Sequence, residues 1–158
     1  EFSNGSLMDL GIYCLYPMVA LFGKPHTVKA VGIMLGSGVD AEGSINMLYP
    51  EMDAVVLHSK ITNSYVPAEI QGELGTMVID KINQPYDVKI HYRDGNIEDL
   101  TRPQMHEPMY YEIREFIQLI QQGARDSLVN SLECSLAVAE VMEEARKQIG
   151  LVYKADLV

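Results

Sequence analysis

The 158-residue chain is 47% hydrophobic and 22% charged, close to soluble globular averages, which excludes a disordered or fibrous polymer and allows a single domain with a substantial core. Twelve basic against 22 acidic residues leave a net charge of −10, a surface that repels phosphate backbones and anionic lipid, so nucleic acid and membrane surfaces are not expected partners. Small neutral or weakly polar substrates remain, and the two cysteines, Cys14 and Cys134, in apolar surroundings suggest buried free thiols in a reducing, cytoplasmic compartment.

Residues 1 to 6 have loop character and begin without an initiator methionine, which is expected of a chain cut from something longer. No basic n-region precedes an apolar run, so no signal peptide is expected. From Leu7 to Phe22 the chain is almost uniformly apolar, with Ser6 placed as an N-cap and Gly23 then Pro25 as stop signals. That pattern predicts a mostly buried helix, kinked or divided at Pro17. The run falls short of the roughly 20 residues that a spanning helix needs and is interrupted by Asp9.

From Thr27 to about Thr101 the period changes to two, the mark of strands. Strands are predicted at Thr27 to Leu35, Glu42 to Tyr49, around Val55 to Ile61, Ala68 to Glu73, Thr76 to Lys81, Tyr86 to Tyr92 and Asn96 to Leu100. Asp94-Gly95 supplies a hairpin turn between the last two. Short Gly, Pro, Asn and Asp-rich connections favour antiparallel pairing in a meander-like sheet. On the third strand Val55, Leu57 and Ile61 share one face and Ala54, Val56, His58 and Lys60 the other. The face with Ala54 and Val56 has no obvious cover, which predicts self-association there.

Two helices close the chain. Met109, Ile113, Phe116, Ile117 and Ile120 follow Pro108 at an N1-like position and stop at Gly123. In the second helix Asn130 and Glu133 are spaced as a capping pair, Leu132, Leu136, Ala139, Met142, Ala145 and Ile149 form the stripe, and Gly150 ends it. The expected fold is α+β, an open-faced, mostly antiparallel sheet with helices packed on one face.

Motifs that would build a complete dinucleotide or metal site are missing: there is no G-x-G-x-x-G, Walker loop, H-E-x-x-H or paired C-x-x-C. Gly36-Ser37-Gly38 has only loop character. Asp9 and Tyr13 stand at i and i+4 and share a helix face. A phenol can donate a proton to a carbonyl oxygen as hydride arrives, and a nearby carboxylate can orient the substrate hydroxyl or carbonyl. Ser6-x-x-Asp9 also fits a capping box, which would make Asp9 a helix-end device and Tyr13 a core residue. His26, His58, His91 and His106 are dispersed and suggest no metal site, Met8, Met18, Met34, Met47 and Met52 suggest core filling, and Tyr110, Tyr111 and Glu112 suit either a pocket edge or packing and capping.

The segment Asn4-Gly5-Ser6-Leu7-Met8-Asp9-Leu10-Gly11-Ile12-Tyr13 resembles the start of the C-terminal domain in the glucose-fructose oxidoreductase, inositol dehydrogenase and MocA (Gfo/Idh/MocA) family. Gly72 to Met77 resembles that family's strand-turn-strand segment, and Tyr111 to Gly123 with Ser131 to Leu151 its closing helices. The resemblance covers essentially the whole chain. It implies the substrate-side domain, similar to the C-terminal domain of glyceraldehyde-3-phosphate dehydrogenase, of an NAD(P)-dependent oxidoreductase acting on a sugar, polyol or related carbonyl or carbinol.

It also implies a missing N-terminal Rossmann domain carrying most of the NAD or NADP site and a Glu-Lys-Pro lysine. Asp9 and Tyr13 become the catalytic residues, Gly5 a position near the nicotinamide, and the fragment alone is expected to be inactive, without bound cofactor and prone to homo-oligomerise. Tyr13, where inositol dehydrogenases typically carry histidine, resembles the tyrosine branch and points away from inositol. The alternative is a non-catalytic dimerisation or ligand-binding module of the same fold.

Overall fold

The computed structural model describes residues 5–105, 107 and 109–157. The predicted loop at residues 1 to 4, Asn4 of the resembling segment, His106 and Pro108 lie outside them. The chain divides into two compact units, residues 1–63 with 128–158, and residues 64–127.

In the first unit a π-helical turn, Leu7–Gly11, runs into helix α1, Ile12–Phe22. Strands β1 (Thr27–Met34), β2 (Asp40–Leu48) and β3 (Asp53–Ser59) follow, and helix α3, Leu132–Gln148, returns from the end of the chain. The three strands form an antiparallel meander in the order β1-β2-β3. Leu7, Leu15 and Val19 from the first helical segments, Ile45, Met47 and Val56 from the sheet, and Val138, Val141, Met142 and Ala145 from α3 make the core. One helical layer therefore covers one face of the sheet, the arrangement that lets each element bury a single apolar side.

Residue pairing fixes which face is covered. Ala30, Ile45 and Val56 are cross-strand neighbours on the inner face, whereas Val31, Ser44 and Leu57 are neighbours on the outer face. Val56 is buried in the core and Ala54 packs against it, while Val31 and Leu57 are 69% and 67% exposed. The open apolar face is thus the one with Val55 and Leu57, and the expectation that the Ala54 and Val56 face lacks cover is corrected. Both faces are apolar, so alternation alone could not choose; the chain-terminal helix α3 decides by docking on the other side.

Helix α1 is less buried than its composition suggests. Leu7, Gly11, Leu15 and Val19 form the buried stripe, and Tyr13 and Leu21 face outward. The change of helical geometry falls at Gly11 and Ile12 rather than at Pro17, which sits inside α1. Ser6 makes no side-chain cap, and Met8 is exposed rather than core. Cys14 and Cys134 are free and half-buried rather than buried, and burial raises the Cys14 thiol pKa.

Helix α3 is capped by Ser131, whose side chain accepts from the Cys134 N–H at 3.1 Å, not by Asn130. The predicted stripe is right at Met142, Ala145 and Ile149 but wrong at Leu132, Leu136 and Ala139, which are exposed. The inner face carries Val138 and Val141 instead. Arg146, 8% exposed, makes two 2.7 Å bonds to Asp156 and stacks over Tyr153, tying the 3₁₀ turn Lys154–Leu157 to α3.

The second unit holds β4 (Ala68–Gln71), β5 (Gly75–Ile79), β6 (Val88–Tyr92) and β7 (Ile97–Asp99), all antiparallel in that order, and α2, Tyr110–Gln122. The Asp94-Gly95 hairpin forms as predicted, with Gly95 at φ +90° and the Asn96 N–H bonded to the Asp94 carboxylate at 2.9 Å. Gly123, at φ +66°, ends α2. The expected single meander is instead two sheets, since β3 and β4, on either side of the strandless residues 60–67, do not pair. The fold class is α+β with antiparallel sheets, and no parallel Rossmann order occurs among the described residues.

Candidate functional site

Asp9 lies in the middle of the π-helical turn and Tyr13 one turn on, in α1. Both are solvent-facing, Tyr13 at 53% and the Asp9 side chain at 55%. The Asp9 carboxylate meets the Lys60 ammonium at 2.7 Å. Lys60 follows β3, and its main-chain N–H is bonded to the Ala41 carbonyl at 2.8 Å. An exposed carboxylate, an ammonium and a phenol therefore occupy one side of the first unit, with groups able to orient a hydroxyl and to give or take its proton.

The capping-box reading of Asp9 is not what the turn displays. Helix-start capping comes instead from 33 residues away: the Leu7 N–H donates to Asp40 Oδ2 at 2.6 Å. Ser6 Oγ shares a 3.0 Å hydrogen bond with His58 Nδ1. His58 Nδ1 is 3.8 Å from Asp40 Oδ2, and all three side chains are buried. Burial pushes the His58 imidazole below its ordinary pKa, and the Asp40 and Glu42 carboxylates oppose that shift.

Glycines make the room for this cluster. A Cβ on Gly5 would lie 1.8 Å from Asp40 Oδ1, and one on Gly43 2.8 Å from His58 Nε2. A Cβ on Gly11 would stand at ordinary contact distance, 3.5 Å from the imidazole, and 3.1 Å from Leu7 Cδ1. The Gly5 of the resembling segment is therefore demanded by packing on this cluster, whatever else it does. Ser6, His58 and Asp40 do not form a nucleophile triad, because serine and aspartate face the same ring nitrogen.

Sequence reasoning singled out Asp9 and Tyr13 and did not anticipate that Lys60 would meet Asp9 or that Asp40 and His58 would be buried below the turn. One signal was present: His58 stands on the same face of β3 as Ala54 and Val56, a polar residue where apolar ones alternate. In the second unit Tyr110 and Tyr111 meet edge-to-face at 5.3 Å, with Arg114 over both rings. Tyr110, Ile113, Arg114 and Ile117 line a groove of about 490 Å³. The Tyr111 hydroxyl accepts from the Met105 N–H at 3.0 Å. Among the described residues no cluster of His, Cys, Asp and Glu is arranged to hold a metal, and no helix is long and apolar enough to cross a membrane.

No protein-family profile matches the chain. It is 54% identical over 156 residues to the scyllo-inositol 2-dehydrogenase (NADP(+)) IolU of Bacillus subtilis, covering 99% of this chain and 48% of that protein. It is 41% identical to the uncharacterized oxidoreductase YgjR of Escherichia coli, covering 99% of this chain and 47% of the relative. Identity to the trans-1,2-dihydrobenzene-1,2-diol dehydrogenase of Mus musculus is 30%, over 98% and 49%. The chain thus spans about half the length of the curated relatives it matches. Among solved structures, the aldose-aldose oxidoreductase of Caulobacter crescentus has the same fold at a TM-score of 0.74 and 22% identity, over 91% of this chain and 45% of that one.

Proposed function

We propose that this chain, homologous over its whole length to half of a Gfo/Idh/MocA-type oxidoreductase, is the C-terminal, substrate-side domain of an NAD(P)-dependent dehydrogenase acting on a polyol or sugar. Residues 1–158 would serve as one substrate and oligomerisation domain beside an N-terminal Rossmann domain. The observation that supports the reading is the exposure of Asp9 and Tyr13, four residues apart along the first helical segments, with Lys60 on the Asp9 carboxylate, in a chain 54% identical to a named dehydrogenase.

The described residues do not fit a complete dinucleotide site. They lack a Gly-rich strand-to-helix loop, and the space at the Gly5 α-carbon is filled by the Asp40 carboxylate. Gly5 therefore enters the proposal only through its backbone. The nicotinamide, when bound, supplies or accepts the hydride. Tyr13 takes or gives the hydroxyl proton at its phenolic oxygen. Asp9, held by Lys60, accepts a hydrogen bond from the substrate hydroxyl and orients its carbon.

The 54% identity to a scyllo-inositol 2-dehydrogenase (NADP(+)) favours NADP and draws the substrate proposal toward a cyclitol such as scyllo-inositol, against the expectation drawn from Tyr13 alone. Self-association is proposed through the open β1 to β3 face with Val31 and Leu57. In the full-length protein Tyr13→Phe is expected to lower kcat by about 100-fold or more, the span of general acid-base catalysis, with nucleotide affinity retained. Unchanged turnover would remove Tyr13 from the chemistry.

A further inference from the structure

Beneath Asp9 and Tyr13 lies a buried polar cluster that the chemistry above does not use. Asp40 opens β2 and His58 stands near the end of β3; they are 1% and 6% exposed. Their hydrogen bonds fall at the start of the π-helical turn. Asp40 Oδ2 holds the N–H of Leu7, the first residue of the turn, at 2.6 Å. His58 Nδ1 holds the Ser6 hydroxyl just before it at 3.0 Å, and its ring lies 3.5 Å from where a Cβ on Gly11, the last residue, would stand.

Asp9 is the central residue of that turn. The π geometry is rarely stable by itself and is usually imposed by surroundings at functional sites. Here the turn has no side-chain cap of its own, since Ser6 Oγ is bonded to His58. The imidazole lies close on Gly43 of β2, where an added Cβ would stand only 2.8 Å from Nε2, so β2 limits its movement on that side.

We propose that Asp40 and His58 are positioning residues for the Asp9 and Tyr13 pair, clamping the start of the π-helical turn through Leu7 and Ser6 so that the carboxylate and the phenol address one substrate carbon. The proposal rests on the reading of Asp9 and Tyr13 as the reacting pair. Neither Asp40 nor His58 is exposed enough to touch substrate. Their effect passes through the backbone of residues 7 to 11.

The test uses the full-length protein with its Rossmann half. His58→Leu keeps the volume and deletes the bond to Ser6; Asp40→Asn keeps the shape and weakens the hold on Leu7. Each is expected to lower kcat about 10- to 100-fold, the cost of a misplacement near 1 Å, with nucleotide affinity unchanged. Amide exchange should quicken across residues 7–13 while α3 stays protected.

His58→Asn, which returns a polar group at the Nδ1 position, should recover a large part of kcat. A purely structural role would lower the melting temperature with kcat intact and exchange raised everywhere, and that result overturns the proposal. Should both first variants fail to fold, Ser6→Ala removes one hydroxyl from the cluster; unchanged kcat and unchanged exchange there also overturn it. A wild-type protein without nucleotide-dependent activity, or a fully active Tyr13→Phe, would instead remove the reading beneath, while the exchange measurement still reports on the clamp.

Discussion

Gly5→Ala isolates the closest approach in the helix start. The new methyl would lie 1.8 Å from Asp40 Oδ1 and 2.8 Å from its Cγ. Restoring ordinary contact needs a displacement of about 1.6 Å, which breaks the 2.6 Å bond from the Leu7 N–H. A hydrogen bond to a charged acceptor contributes about 1.5 to 3 kcal/mol, and the reduced freedom of the unfolded chain returns about 0.4 to 1 kcal/mol. The net expectation is a loss of about 1.5 kcal/mol, seen in urea unfolding of the chain as a midpoint lowered by about 0.8 M at ordinary slopes.

Gly36→Ala is the matched control, because nothing lies within 4 Å of its Cβ position; its midpoint should hold or rise slightly. In an Asp40→Ala background Gly5→Ala should cost little more, since the obstructing carboxylate is gone. A Gly5→Ala midpoint equal to wild type would refute the packing of Asp40 on Gly5 and the clamp with it.

Acid titration should reveal two separate losses of stability. His58 has a folded pKa below its ordinary value of 6.5, so its contribution is full above that value and is lost as pH falls below it, when the unfolded chain takes up the proton; His58→Asn should flatten this limb of the urea midpoint against pH. Asp156, held by Arg146 and the Tyr153 N–H at about 2 against an ordinary 3.8, contributes stability that is present above 3.8 and lost toward 2, read as faster amide exchange at the C-terminal turn in wild type but not in Asp156→Asn. Leu57→Arg, at the centre of the open sheet face, should reduce the sedimentation coefficient of the full-length protein without changing its circular dichroism; an unchanged assembly would remove that face from the interface.

Strand periodicity was legible from sequence because side chains alternate locally, as in the Tyr86 to Tyr92 segment, and so were the turns at Gly95, Gly123 and Gly150, where positive φ selects glycine. The i, i+4 spacing of Asp9 and Tyr13 was legible for the same reason. Which face of β3 lies outward was not, since Val56 and Leu57 are equally apolar and only the docking of α3 separates them.

Nor was the cap on the first helix. Ser6 has the right chemistry and the right position, yet it is turned to His58, and Asp40 supplies the acceptor. Composition, period and spacing are properties of neighbours along the chain, so the sequence by itself determined the α+β class, the antiparallel strands and the four-residue spacing of a carboxylate and a phenol. The meeting of Leu7 with Asp40, of Ser6 with His58 and of Asp9 with Lys60 joins residues 33 to 52 positions apart. Such contacts exist only once β2 and β3 are packed beneath the helix, and the tertiary structure alone decided them.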